Sequence, residues 1–181
     1  MIIQGAVKLN EASAFIGRSG AKAFKVTANF TRPSDTTAYT ADDAITNSTA
    51  SPAIMSFDLS AFGAVNGQFF QITNARVISS VKGSVTDLNA NIWLFNQTFV
   101  ATNDNSALSI DDTTAETGGI VIPCLNAYRT ALNHRCVSDC GAWIGQLAAN
   151  ATTVYFALQA ANGYTPTSGE VFYVVLEGVL L

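Results

Sequence analysis

The chain has 181 residues, 49% of them apolar and only 12% charged, with a formal net charge of −4 and a pI near 4.7. That length suits one domain with a real hydrophobic core. The nine Lys and Arg residues are scattered, which argues against direct packing of nucleic acid, because phosphate neutralisation needs basic side chains gathered on one face.

The charged share is about half the usual value for a soluble globular protein. Solvent-facing positions are therefore filled mainly by Thr, Ser, Asn and Gln. A surface of this kind has weak charge repulsion and favours burial against copies or neighbours. Thr- and Ser-rich strands give the same composition without any association, so both readings stand. No window approaches the ~20 apolar residues of a membrane helix. The N-terminal stretch has no charged leader followed by an unbroken apolar run, so no secretory signal is expected.

Residues 1–21 carry Gly5, Gly17 and Gly20 and no clean period. They read either as an arm that pairs with a neighbouring subunit or as a first strand and loop of the same domain. Residues 22–181 form the predicted sandwich domain. From residue 23 the period is two: Phe24, Val26, Ala28 and Phe30 alternate with Lys25, Thr27, Asn29 and Thr31, the pattern of a half-buried strand. Residues 32–52 read as a long polar loop, with turn chemistry at Pro33 and Asp35 and charge at Asp42 and Asp43.

Strands follow at 53–59 and 69–81, the second with Phe70, Ile72 and Ile78 expected on one face. After a turn at Lys82-Gly83, residues 86–95 place Leu88, Ala90, Ile92 and Leu94 on one face and Asp87, Asn89, Asn91, Trp93 and Phe95 on the other. Polar and then aromatic residues on that second face predict a strand that leaves solvent and runs under a loop or a partner. Residues 119–124, 154–160 and 171–181 supply three more strands. Helical character is expected only at 125–149. The sum is an all-β fold, a single β-sandwich or jelly-roll-like domain of about eight strands with a short helical insertion near 125–149.

Candidate chemistry is sparse. Cys124, His134, Cys136 and Cys140 hold all three cysteines and the lone histidine, a Cys3His set in ligand type but without CxxC spacing. A Cys136–Cys140 disulfide, or three plain thiols in a reducing compartment, are the other readings. No nucleophile elbow or cysteine-protease flank accompanies His134.

Acidic pairs occur at Asp42-Asp43 and Asp111-Asp112, with Asp104 and Glu116 near the second. Neighbouring strand residues point to opposite sides, which does not suit paired-carboxylate glycoside hydrolysis. Asn103, Asp104, Asn105, Asp111 and Asp112 offer the hard oxygens of a calcium loop without EF-hand spacing; solvated acidic turns are the plainer reading. Asn29, Asn47, Asn96 and Asn150 begin N-x-[ST] matches of the kind that arise easily in so Asn- and Thr-rich a chain. Trp93, Phe95, Phe99, Trp143, Tyr155 and Phe156 have the alternating neighbours of core aromatics rather than of a sugar platform. No catalytic, cofactor or metal residue is assigned.

Two loop motifs carry a resemblance. The first is TRPSDTTAYT at 31–40, set between strands; the second is the strand end LFN at 94–96 followed by DNSA at 104–107. Over roughly residues 24–124 the pattern resembles a family of small β-sandwich virion proteins encoded among the structural genes of tailed bacteriophages. The resemblance implies a structural role without a reaction. The expected role is a capsid cement or decoration protein on the outer capsid surface, made in the bacterial host cytoplasm, trimeric, and bound to the major capsid protein. The N-terminal arm and the loops at 32–52 and 100–118 are its expected contact elements. A tail, collar or fibre-associated module that binds other virion proteins or host glycan is the alternative, and a virion-associated glycan hydrolase the enzymatic rival.

Overall fold

Strand pairing in the computed structural model is nested like a single long hairpin. Residues 21–81, 87–110, 120–129, 132–139 and 141–181 are described. Their ten strands are β1 (Lys22–Thr31), β2 (Met55–Asp58), β3 (Phe69–Ser79), β4 (Ala90–Phe95), β5 (Ile120–Cys124), β6 (Asn126–Arg129), β7 (His134–Val137), β8 (Trp143–Gln146), β9 (Thr153–Ala160) and β10 (Val171–Leu180). First pairs with last, β1 with β10; then β2 with β9, β3 with β7 and β8, and β4 with β5, all antiparallel. Lateral pairs β10–β3 and β9–β4 complete two sheets. One sheet runs β1-β10-β3-β7-β6 with β8 also on β3; the other runs β2-β9-β4-β5. A hairpin rolled so that successive pairs fall in alternate sheets is a jelly roll.

The alternation expected of residues 24–30 is present: Phe24, Val26 and Phe30 are buried, Ala28 packs half-buried against the same core, and Lys25, Thr27 and Asn29 face out. Their inner face meets Phe57, Ile92, Ile122, Phe156, Phe172 and Leu176 in one core between the sheets. Burial of such side chains stabilises by roughly 1.5–3 kcal/mol each. The expected arm at residues 1–21 lies, apart from Ala21, outside the described residues.

Three expectations need correction. The region 125–149 holds β6, β7 and β8 where helical character was expected. Strands of four residues offer two inward positions each, His134 and Cys136 in β7 for example, too few to establish a period. Gly145 in β8 is what lets that strand close on the core, because a Cβ there would stand 2.5 Å from the Phe70 ring.

Ile78 does not share a face with Phe70 and Ile72. Glu177 pairs with Asn74 and Gly178 with Ile72, so Thr73 is an extra residue on β3. This β-bulge shifts the phase, and Ala75, Val77 and Ser79 become the inward set. The Thr73 hydroxyl donates to the Glu177 carbonyl at 3.2 Å, and a Cβ at Gly178 would lie 2.1 Å from the Gln71 carbonyl oxygen.

The segment 32–52 is not a free polar loop. Arg32, Tyr39, Ala44, Ile45 and Thr46 are buried. Isolated bridges tie Tyr39 to Tyr164, Ala44 to Gln159 and Asp43 to Ala107.

Candidate functional site

The two loop motifs meet. Thr31 ends β1, and Arg32 turns inward with its guanidinium fully buried. Its Nε donates to the Tyr39 hydroxyl at 2.9 Å. Its Nη2 donates to Asp104 Oδ2 at 3.1 Å and to Asp35 Oδ1 at 3.0 Å. The Tyr39 hydroxyl and the Thr46 amide both donate to Asp104 Oδ1, at 2.7 and 2.8 Å. Every polar end of Arg32, Tyr39 and Asp104 is thus engaged.

Buried charge persists only when paired and hydrogen-bonded in this way. Burial lowers the Arg32 guanidinium, but Tyr39 and the two carboxylates outweigh it and hold it above its ordinary value. Burial also pushes the Tyr39 hydroxyl well up. Asp104 is therefore not a solvated turn residue: both its oxygens accept from protein donors. Asp111, Asp112, Glu116 and Cys140 lie outside the described residues.

A second buried cluster sits beside it. The Glu170 carboxylate accepts from the Ser79 and Tyr164 hydroxyls, and from the Thr167 amide at 2.8 Å. The Tyr39 and Tyr164 rings stack at 6.5 Å, and Arg32 N donates to the Glu170 carbonyl at 3.0 Å, so the two clusters form one polar seam through the end of the sandwich. Ser79 and His134 are register partners on adjacent strands, yet the Ser79 hydroxyl donates to Glu170, and no Ser-His contact forms a nucleophile–base pair.

His134 is buried, with its Nε2 accepting from the Leu88 amide at 3.4 Å and lying 3.8 Å from Asp87 Oδ1. Burial, then the nearby Arg129, lower its affinity for a proton. Cys124 and Cys136 are free thiols in the core. Among the described residues no group of three or more His, Cys, Asp or Glu is placed to hold a metal ion.

The aromatic residues divide by face. Phe156 stacks on Phe57 in the core at 4.7 Å, and Trp143 packs against the same core. Phe95 and the half-buried Trp93 and Tyr155 project from the outer face of the four-stranded sheet. There Phe99, Leu108 and Ile110 of the 96–110 loop fold over them, so this strand does run under a loop. Trp93 Nε1 donates to Gln159 Oε1 at 3.0 Å and Gln159 Nε2 to Asp42 Oδ1 at 3.2 Å, fastening the edge of that cover.

The outer face of the six-stranded sheet has no such cover among the described residues. Paired residues on neighbouring strands point the same way, which lines up Val179, Gln71 and Ile144 in one row. Phe69 stands in the next row, and its carbonyl accepts the Leu181 amide at 2.9 Å. Tyr173, Ile78, Arg135 and Tyr128 form a further row. Phe69, Ile144, Leu181 and Tyr128 are 51%, 60%, 54% and 58% exposed. Between these rows lies a charged strip, with Glu177 against Arg76 at 2.9 Å and Lys25 at 3.6 Å. This face is the candidate functional site. Sequence periodicity does not reveal it, because the bulge at Thr73 and the short β8 set which residues point outward.

No protein-family model matches the chain, and no curated protein does. Among solved structures the chain is similar to tobacco necrosis virus, with 13% identity over 90% of this chain and 97% of that one and a TM-score of 0.30. It is similar to a full particle of Israeli acute paralysis virus, with 11% identity over 88% and 74% and a TM-score of 0.29. It is also similar to the 60-mer BFDV capsid protein, with 10% identity over 88% and 91% and a TM-score of 0.30. The strand pairing by itself establishes the jelly roll.

Proposed function

We propose that the chain is a non-enzymatic structural protein of a tailed-bacteriophage virion, a cement or decoration protein that binds the major capsid protein on the outer capsid surface as a homotrimer. The observation that carries this is the difference between its two outer sheet faces. One is sealed by the chain's own loop; the other presents Phe69, Ile144, Leu181 and Tyr128, and on this reading joins copies of the chain into the trimer. Exposed apolar side chains gathered on one sheet face, here on either side of a charged strip, mark an interaction surface. Low charge lets many copies sit side by side, and weak contacts repeated around a symmetric shell add up to firm attachment. The trimer, the capsid partner and the phage context come from the resemblance of the two loop motifs. Of the expected shell contacts, the N-terminal arm and the loops at 32–52 and 100–118, the described residues expose Asn47, Thr49, Ala50, Ser51 and Val100.

One observation favours the alternative of a tail or fibre-associated module. An open cleft of about 870 Å³ is lined by Asn96, Gln97, Gln146, Asn150 and Tyr155, and amides around an aromatic ring are the groups that hold a sugar.

Counting copies per purified particle against the major capsid protein, by quantitative mass spectrometry, tests the proposal. A number near that of the capsid protein supports a shell-wide cement. A dozen or fewer moves the protein to a vertex, collar or tail, and absence from the particle overturns the virion role.

A further inference from the structure

Cys124 and Cys136 belong to opposite sheets, on β5 and β7, and both are fully buried in the common core. The Cys124 thiol donates to the Ala75 carbonyl at 3.7 Å. That carbonyl also accepts the Ser138 amide at 2.9 Å, so the Cys124 sulfur lies over the seam between β3 and β7. Cys136, paired with Val77, is the next inward residue along that seam. Cys136, the neighbour across the core, followed by burial, pushes the Cys124 thiol well above its ordinary range.

We propose that Cys124 and Cys136 are a latent cross-sheet disulfide, closed when the chain folds or opens in the presence of a small disulfide oxidant such as oxidised glutathione. One protein thiol loses its proton and attacks a glutathione sulfur, releasing glutathione thiolate, which takes up that proton. The second protein thiol, deprotonated in turn, attacks the protein sulfur of the mixed disulfide and releases the second glutathione. Two protein thiols are oxidised by two electrons, and one oxidised glutathione becomes two reduced ones. A buried, protonated thiol is a poor nucleophile, so the closed fold reacts slowly and the bond forms while the sandwich is open. The reduced protein made in a cytoplasm would keep both thiols, and the oxidised one would have its two sheets stapled. This holds whichever partner the outer face binds.

The test refolds the denatured full chain with and without oxidised glutathione, blocks free thiols after denaturation, and maps the cross-linked peptides. The expected product links Cys124 to Cys136, with a melting temperature raised by roughly 5–10 °C over the reduced form, because the bond closes a short loop. Cys140→Ser should form the same link, and Cys136→Ser should leave Cys124 fully alkylated. A link through Cys140, or a Cys124 that stays free after oxidative refolding of the wild type, overturns the proposal.

Discussion

The two outer faces of this sandwich have opposite fates. On the four-stranded sheet, Trp93, Phe95 and Tyr155 are covered by Phe99, Leu108 and Ile110, and the covering loop is locked through Asp104 to Arg32 and Tyr39. On the six-stranded sheet, Phe69, Ile144 and Tyr128 have no cover among the described residues. An apolar sheet face can be completed from within the chain or from outside it. The covered face is the one whose loop carries Asp104, the partner of the buried Arg32, together with the apolar side chains that seal it.

The sharpest way to break that comparison is to remove the latch. Asp104→Ala leaves the buried Arg32 guanidinium with only the partly exposed Asp35 as counter-charge and should cost up to about 3–5 kcal/mol in urea unfolding. Replacing Arg32 and Asp104 together by apolar residues should cost less than Asp104→Ala alone, since no charge is then left buried. Next in size, Phe99→Ala deletes the ring that packs at 4.9 Å on Phe95. It should lower stability by about 1–3 kcal/mol and raise hydrogen exchange in the 96–110 loop.

A third test leaves both faces untouched. His134 is held below its ordinary value of 6.5 by burial, so the folded chain binds fewer protons than the unfolded one below that pH. Stability is full above about pH 6.5 and should fall as the pH drops, by at most about 1.4 kcal/mol per pH unit. Melting temperatures between pH 7.5 and 5.5 check this, and His134→Gln should flatten the profile. Smallest of all in stability is Ile144→Lys on the bare face, within about 0.5 kcal/mol, although its effect on assembly should be large.

Alternation made most of the architecture legible from the sequence. The periods at 24–30 and 88–94 specify strands that the core then buries, and the polar-to-aromatic change from Asn91 to Phe95 announces a covered face. Four things are not written in any local period. Strands β6 to β8 are too short to show one, and Thr73 interrupts one. The joining of Arg32 to Asp104 spans 72 positions, so each motif alone reads as an ordinary polar turn. Likewise Cys124 and Cys136 look like members of one local cysteine cluster, and only the roll of the sheets sets them face to face.

The most direct test of the central claim is the solution mass of the wild type beside a Phe69→Glu, Ile144→Glu double variant, measured by sedimentation velocity alongside melting temperature. The account expects an assembled wild type and a monomeric variant that melts at nearly the same temperature. A variant that keeps the wild-type mass, or a wild type that is itself monomeric, would contradict the assignment of the bare face to self-assembly.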